Sequence, residues 1–137
     1  QDNVLLLGRF PVERMPSFYA HADALLVSLK KDPVFSKTIP GKVQSYLVSG
    51  LPLLGMLDGE GAQVIIDSNA GLACSSGDDI GLAAAVLKMA ATSTEQRHQL
   101  GLNGRAYAKQ EFGRDLLMAR LDGLLLKAVA SYKQANA

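Results

Sequence analysis

The feature that most restricts how this chain can fold is a series of short, near-continuous apolar runs, each followed by a stretch with helical periodicity. Val4-Leu5-Leu6-Leu7 closes on Gly8, Ala24 to Leu29 forms a second run, Leu51 to Met56 a third, and Gly71-Leu72-Ala73-Cys74 a fourth. Strands that are apolar throughout, without polar alternation, belong to parallel sheets covered by helices. Pro52 stands at the start of the third run, where a missing N–H disturbs a ladder least. Between the runs, Pro16 to Ala22 reads as a helix with proline in its first turn. Lys42 to Ser49 places Val43, Tyr46 and Leu47 on one face and ends at Gly50. Glu60 to Asp67 carries Val64, Ile65 and Ile66. Asp78 and Asp79 open a longer helix with Leu82, Val86, Leu87 and Met89 facing inward. Thr94 begins another, which runs to Gln110. The last helix sets Leu117, Leu121, Leu124, Leu125 and Tyr132 at three- and four-residue spacing. Right-handed crossovers between such strands dictate an α/β fold, a three-layer sandwich around a parallel sheet.

Composition narrows the function classes. The 137 residues suffice for one core and one domain, residues 1–137. With 48% apolar and 20% charged residues the chain is an ordinary globular one. A formal net charge of +1 argues against indiscriminate nucleic-acid binding, and the lack of tryptophan argues against a stacking platform for single strands. The lone Cys74 excludes an internal disulfide framework or a zinc site built on several cysteines, and is expected to be buried packing. No run reaches the roughly 20 apolar residues of a membrane span. Residues 1–8 lack the basic start of a secretion signal. The chain does not begin with Met, and four strands followed by three helices is lopsided. The expectation is a cytoplasmic fragment that lacks its first strand or strands.

Charge is unevenly placed. Residues 58–79 carry five acids and no Lys or Arg, whereas Lys30, Lys31, Lys37 and Lys42 gather in one loop offset only by Asp32. Acids also collect at helix starts for electrostatic reasons alone. Ligands of open α/β sheets bind beyond the carboxyl ends of the strands. Three loops qualify: Gly8 to Pro11, Lys30 to Gly41, and Leu57 to Gly61. The second is twelve residues long and ends Lys37-Thr38-Ile39-Pro40-Gly41-Lys42 against a helix. Long ordered loops in compact domains tend to be functional. The N–H groups of Gly41, Lys42 and Val43, with the helix dipole, the Thr38 hydroxyl and the Lys42 cation, form an anion site suited to a diphosphate. The dipole contributes only about 0.3–1 kcal/mol, so direct contacts must supply most of the affinity. A solvated loop before an ordinary helix would carry the same residues. In the third loop, Gly59 and Gly61 would allow close approach to a ligand, and Asp58 and Glu60 could accept from sugar hydroxyls or act simply as a helix cap. Arg9 could reach a base or a phosphate. His21, read as a half-buried helix residue, and His98 lack partners at ligand or catalytic spacing, and Ser45 and Ser49 have no neighbouring His.

Taken in order, Leu7-Gly8-Arg9-Phe10-Pro11, Met15 to Asp23, Pro40-Gly41-Lys42-Val43-Gln44-Ser45-Tyr46-Leu47-Val48-Ser49-Gly50-Leu51-Pro52, Gly71-Leu72 and Gly77-Asp78 form a specific series. Across nearly the whole chain it resembles the C-terminal, donor-binding domain of family 4 glycosyltransferases of the GT-B fold. Within that family it is most similar to bacterial transferases of N-acetyl-fucosamine-type sugars in O-antigen and capsule synthesis. The resemblance implies a Rossmann-like half of a GT-B enzyme that binds a nucleotide sugar, UDP-linked, and faces a missing N-terminal domain of the same enzyme. It implies retention of anomeric configuration, a glycan or lipid-linked acceptor, no metal and no other cofactor, and no nucleic-acid partner. Contact with the inner membrane would come through the missing half. It places Arg9 and Phe10 at the base, Thr38 to Val43 at the diphosphate and donor sugar, and Gln44 and Ser45 near the ribose. The family's two glutamates, eight positions apart, fall on Lys37 and Ser45, so a carboxylate on the ribose is missing here and Lys37 is available to phosphate.

Two other readings share the architecture: a non-catalytic receiver-like signalling domain and a nucleotide-sugar epimerase domain. A receiver needs clustered acids at the end of its first strand, where this chain has Gly8 and Arg9. The final helix, with Leu116, Leu117, Leu124, Leu125 and Leu126, is more apolar than one buried face requires, and these leucines are free to cover an absent half or to form a dimer contact.

Overall fold

A computed structural model describes residues 3–135; the ends of the expected domain, residues 1–2 and 136–137, lie outside that range. Three parallel strands, β1 (Leu25–Ser28), β2 (Leu53–Met56) and β3 (Gly71–Cys74), lie in sequence order. Leu25 pairs with Leu53, and Leu53 with Gly71. The helices are α1 (Met15–Tyr19), α2 (Gly41–Ser49), α3 (Glu60–Asp67), α4 (Asp79–Ala91), α5 (Thr94–Phe112) and α6 (Arg114–Ala135). Short 3-10 turns precede α1 at Val12–Arg14 and interrupt the β1–α2 loop at Phe35–Lys37.

One side of the sheet carries the main core. Val27, Leu53 and Leu57 pack there with Val43 and Leu47 of α2, Val64 and Ile65 of α3, and Ala108 of α5. Leu54, which alternates with Leu53, is also buried, and α4 covers that opposite face over β2 and β3. The sandwich therefore has its three layers, but α4 lies mainly over β2 and β3, and Leu26 of β1 on that face is 49% exposed. Its helix starts follow local chemistry. Asp78 caps α4 by accepting from the Gly81 N–H at 2.8 Å. Ser93 and Gln96 form a reciprocal capping box at α5. Gly50, at φ 78°, ends α2 in the left-handed conformation expected of a C-terminal glycine.

Several expectations need correction. Val4–Leu7 is not a strand: Leu6 is 95% exposed and no described strand pairs with the run. Strand formation needs a neighbouring ladder to satisfy each N–H and C=O, and an apolar run without one stays irregular. The first helix ends at Tyr19, with turns continuing to Ala22, and His21 is exposed with Nδ1 2.8 Å from the Ser17 carbonyl. On α4 only Met89 is buried; Val86 and Leu87 face outward, because the edge of a three-stranded sheet offers α4 a narrow contact. Ile66 of α3 is likewise exposed. No residue of α6 is buried. The helix packs mainly on α5, with an Arg120–Glu111 ion pair at 3.7 Å near the junction, and leaves Leu117, Leu121, Leu124 and Leu125 outside the core. None of its described helices is long and apolar enough to cross a membrane.

Candidate functional site

In a parallel sheet every strand delivers the chain to the same edge, so the β1–α2, β2–α3 and β3–α4 loops meet at the carboxyl end of β1–β3. The β1–α2 loop ends at Pro40, which has extended backbone (φ −61°, ψ 137°) and carries no side-chain cap for the helix it precedes. Helix α2 begins at Gly41. A Cβ placed on Gly41 would meet nothing within 4 Å, so the turn is open on its outer side. The Gly41 and Lys42 N–H groups have no hydrogen-bond partner among the described residues. Val43 departs from expectation. Its side chain is fully buried and its N–H donates to the Pro40 carbonyl at 2.9 Å, so the turn presents two free donors rather than three.

The polar side chains of this segment are placed as follows. Thr38 Oγ1 donates to the Phe35 carbonyl at 3.3 Å and remains exposed, with its lone pairs free. Ser45 Oγ donates to the Gly41 carbonyl at 3.0 Å. Gln44 is half-buried, and Ile39 turns its side chain onto the core. Lys30, Lys31, Lys37 and Lys42 are all exposed, and none of them makes an ion pair among the described residues. The one acid of the loop, Asp32, accepts from the Val34 N–H at 2.7 Å and shapes its own turn. Positive charge at the start of α2 thus has no ion-pair partner among the described residues, and it adds to the helix dipole.

The β2–α3 loop serves a different purpose from the one its sequence suggests. Gly59, at φ 71°, is pressed against the Ser36 backbone, where any Cβ would fall on the Ser36 carbonyl oxygen. A Cβ on Gly61 would lie 2.8 Å from Pro40 Cδ and 2.6 Å from Leu57 Cδ1. Both glycines therefore admit the neighbouring loop of the same chain. Asp58 is likewise engaged: its Oδ1 accepts from the Ser76 N–H at 3.1 Å and joins this loop to the turn after β3. Glu60 is exposed beside an open groove of about 440 Å³ lined by Asp58, Gln63, Ile66, Cys74 and Ser75. Cys74 is half-buried rather than buried, with Sγ 3.5 Å from the Gly55 carbonyl oxygen. Burial, and then the negative charge of Asp78, pushes its thiol pKa up.

Arg9 is exposed and makes no hydrogen bond or ion pair among the described residues. Phe10 stacks on Phe18 of α1, ring centroids 4.8 Å apart. Tyr19 of α1 meets Tyr46 of α2 edge-on at 5.8 Å. Burial, and then Tyr19, raises the Tyr46 pKa. The first loop is thus tied to α2 through α1 rather than packed on the Pro40 turn. Among the described residues no three His, Cys, Asp or Glu side chains are grouped to hold a metal ion. Sequence reasoning does not reach Ser36 or Ser76, whose contributions are backbone groups in other loops and leave no signature in side-chain type.

No protein-family profile matches this chain, and no curated protein matches it. Among solved structures it is similar to a sucrose-phosphate synthase from Thermosynechococcus elongatus, with a TM-score of 0.76 over 95% of this chain at 21% identity. The chain spans 31% of the length of that protein. At this identity the likeness is one of fold: an α/β unit with a parallel sheet between helices, similar to a domain of a GT-B glycosyltransferase.

Proposed function

We propose that this chain is the donor-binding domain of a retaining glycosyltransferase that moves a sugar from a UDP-sugar to a glycan or lipid-linked acceptor in surface polysaccharide synthesis. The observation that carries the proposal is the open start of α2, where the Gly41 and Lys42 N–H groups have no partner among the described residues and lie beside the exposed Lys37 and Lys42 cations. Such a turn suits a diphosphate, because fixed donors and cations meet its charge without reorganising. Thr38, Gly41 and Lys42 contact the diphosphate, with Ile39, Pro40 and Val43 as their frame. Lys37 adds charge at a phosphate oxygen. Gln44 and Ser45 lie one turn along α2, toward the ribose. Arg9 and Phe10 take the base, and Glu60 and the free oxygen of Asp58 face the sugar.

When the glycosidic bond to phosphate breaks, negative charge grows on the leaving diphosphate. Donors that bind it more tightly than the intact nucleotide sugar lower the barrier. In this reading the turn and its lysines stabilise that charge and transfer needs no metal. The acceptor half belongs to an N-terminal domain, and the complete enzyme works in the cytoplasm at the inner membrane.

Titration of the ¹⁵N-labelled chain with UDP and UDP-sugars tests the proposal. Amide shifts confined to residues 37–45 and the Arg9 loop are expected with UDP, joined by residues 58–60 with UDP-sugars. Shifts absent from residues 37–45 would overturn it.

A further inference from the structure

We infer that Gly61 is a positioning residue for the diphosphate-facing turn, with Gly59 assisting it: the β2–α3 loop and the first turn of α3 hold the two ends of the Lys37–Ile39 segment. This rests on the function proposed above. Beyond Leu29, whose N–H still donates to the Met56 carbonyl of β2, the hydrogen bonds of the β1–α2 loop are local to it. Val34 and Ser36 donate to Asp32, Lys37 to Val34, and Thr38 to Phe35. Bonds of that kind shape a loop but do not fix it against the sheet. Its placement comes from three packing contacts: Ile39 on the core, Ser36 on Gly59, and Pro40 on Gly61.

Two of these contacts bracket the Lys37–Ile39 segment, and both belong to one rigid support. Gly61 lies in the first turn of α3, whose Val64 and Ile65 are buried in the core. The Asp58–Ser76 hydrogen bond ties the same support to the turn after β3. Pro40 Cδ lies 2.8 Å and Cγ 3.4 Å from where a Gly61 Cβ would stand. A methyl group there would displace the proline ring as well as the Leu57 side chain 2.6 Å away, and Gly41 and Lys42 follow that proline directly in the chain. Close packing transmits such a shift instead of absorbing it.

Gly61→Ala, Pro40→Ala and the double variant test this in the full chain, with amide spectra and UDP affinity as readouts. Gly61→Ala is expected to shift the Gly41 and Lys42 amide resonances and to weaken UDP binding roughly tenfold. The double variant is expected to recover both, because alanine at position 40 lacks the ring carbons that the new methyl meets. A purely structural effect through Leu57 would leave the double variant no better than Gly61→Ala, and that result overturns the inference. So do unshifted Gly41 and Lys42 amides in a folded Gly61→Ala chain. If the unaltered chain does not bind UDP, the function proposed above fails, whereas the amide shifts and their recovery still decide the positioning role. Should Gly61→Ala not fold, hydrogen exchange in Pro40→Ala decides: faster exchange at Val43, whose N–H donates to the carbonyl of residue 40, supports the inference, and unchanged exchange overturns it.

Discussion

Gly101 of α5 lies directly against the Gly50 carbonyl that ends α2, so that a Cβ at position 101 would stand far inside van der Waals contact with that oxygen. Gly104, one turn later, faces Ala70 and Leu47 in the same way, with its Cβ position 2.9 Å from Ala70 Cβ. Helix α5 can approach α2 this closely only because side chains are absent at these positions. That contact holds α2, and with it the Pro40 turn, against the rest of the domain.

Gly101→Ala should therefore destabilise the domain by about 1–3 kcal/mol, because the obstructing atom is backbone and cannot rotate away. Thermal unfolding would show a fall of several degrees in Tm. Gly123→Ala is the control: its Cβ meets nothing within 4 Å on α6, and helix propensity alone predicts a gain of up to about 1 kcal/mol. Equal effects from both would contradict the packing described.

Lys42→Ala should leave stability within about 0.5 kcal/mol, since the side chain is exposed and unpaired among the described residues. Its UDP affinity should fall about tenfold or more, the worth of one charged hydrogen bond. Calorimetric titration and thermal unfolding of the same sample separate the two. Unaltered affinity would falsify the role given to this lysine.

Asp58→Ala removes the acceptor for the Ser76 N–H, a part-buried donor. A cost of about 1 kcal/mol is expected, together with faster hydrogen exchange at Ser76. Exchange at Ser76 that stays as slow as in the unaltered chain would show that Asp58 does not hold this turn.

Cys74 should react as a poorly ionised thiol. Its folded pKa is raised, first by burial and then by Asp78. The midpoint of its alkylation rate against pH should lie above the value of about 8.5 for a free thiol. A raised pKa contributes stability that is complete below the unfolded value and is lost as pH rises through the folded one. Unfolding midpoints should therefore decline from about pH 8.5 upward, and Cys74→Ala should remove that part of the decline. A midpoint at or below the free-thiol value would contradict the assigned environment.

Much of the architecture is legible in residue order. The runs at Ala24–Leu29, Leu51–Met56 and Gly71–Cys74 became the strands Leu25–Ser28, Leu53–Met56 and Gly71–Cys74, although only β2 is buried on both faces, as apolar character without alternation implies, and β1 leaves Leu26 half exposed at the edge. Glu60–Asp67 forms a helix at those bounds, and α2 starts one residue earlier than its periodicity suggests, since Pro40 rather than Gly41 stands at the cap. The Ser93–Gln96 capping box is also written in the sequence, where Ser followed three residues later by Gln marks a helix start. It marks the start of α5 at Thr94, a helix whose own periodicity is weak, with glycines rather than leucines facing α2.

The candidate site is legible only in part. Pro40-Gly41-Lys42 before a helix is visible in the sequence, as is the basic loop ahead of it. Local order and periodicity depend on residues a few positions apart, so the chain by itself determines its β/α alternation, its helix starts and the loop that bears the lysines. Tertiary structure decided the rest. Val4–Leu7 has the composition of a strand but no ladder to join. Gly59 and Gly61 receive Ser36 and Pro40, residues more than twenty positions away, which no local pattern encodes. Pairing, close approach and burial are relations between distant segments, and their energy is set by which surfaces meet once the chain has packed.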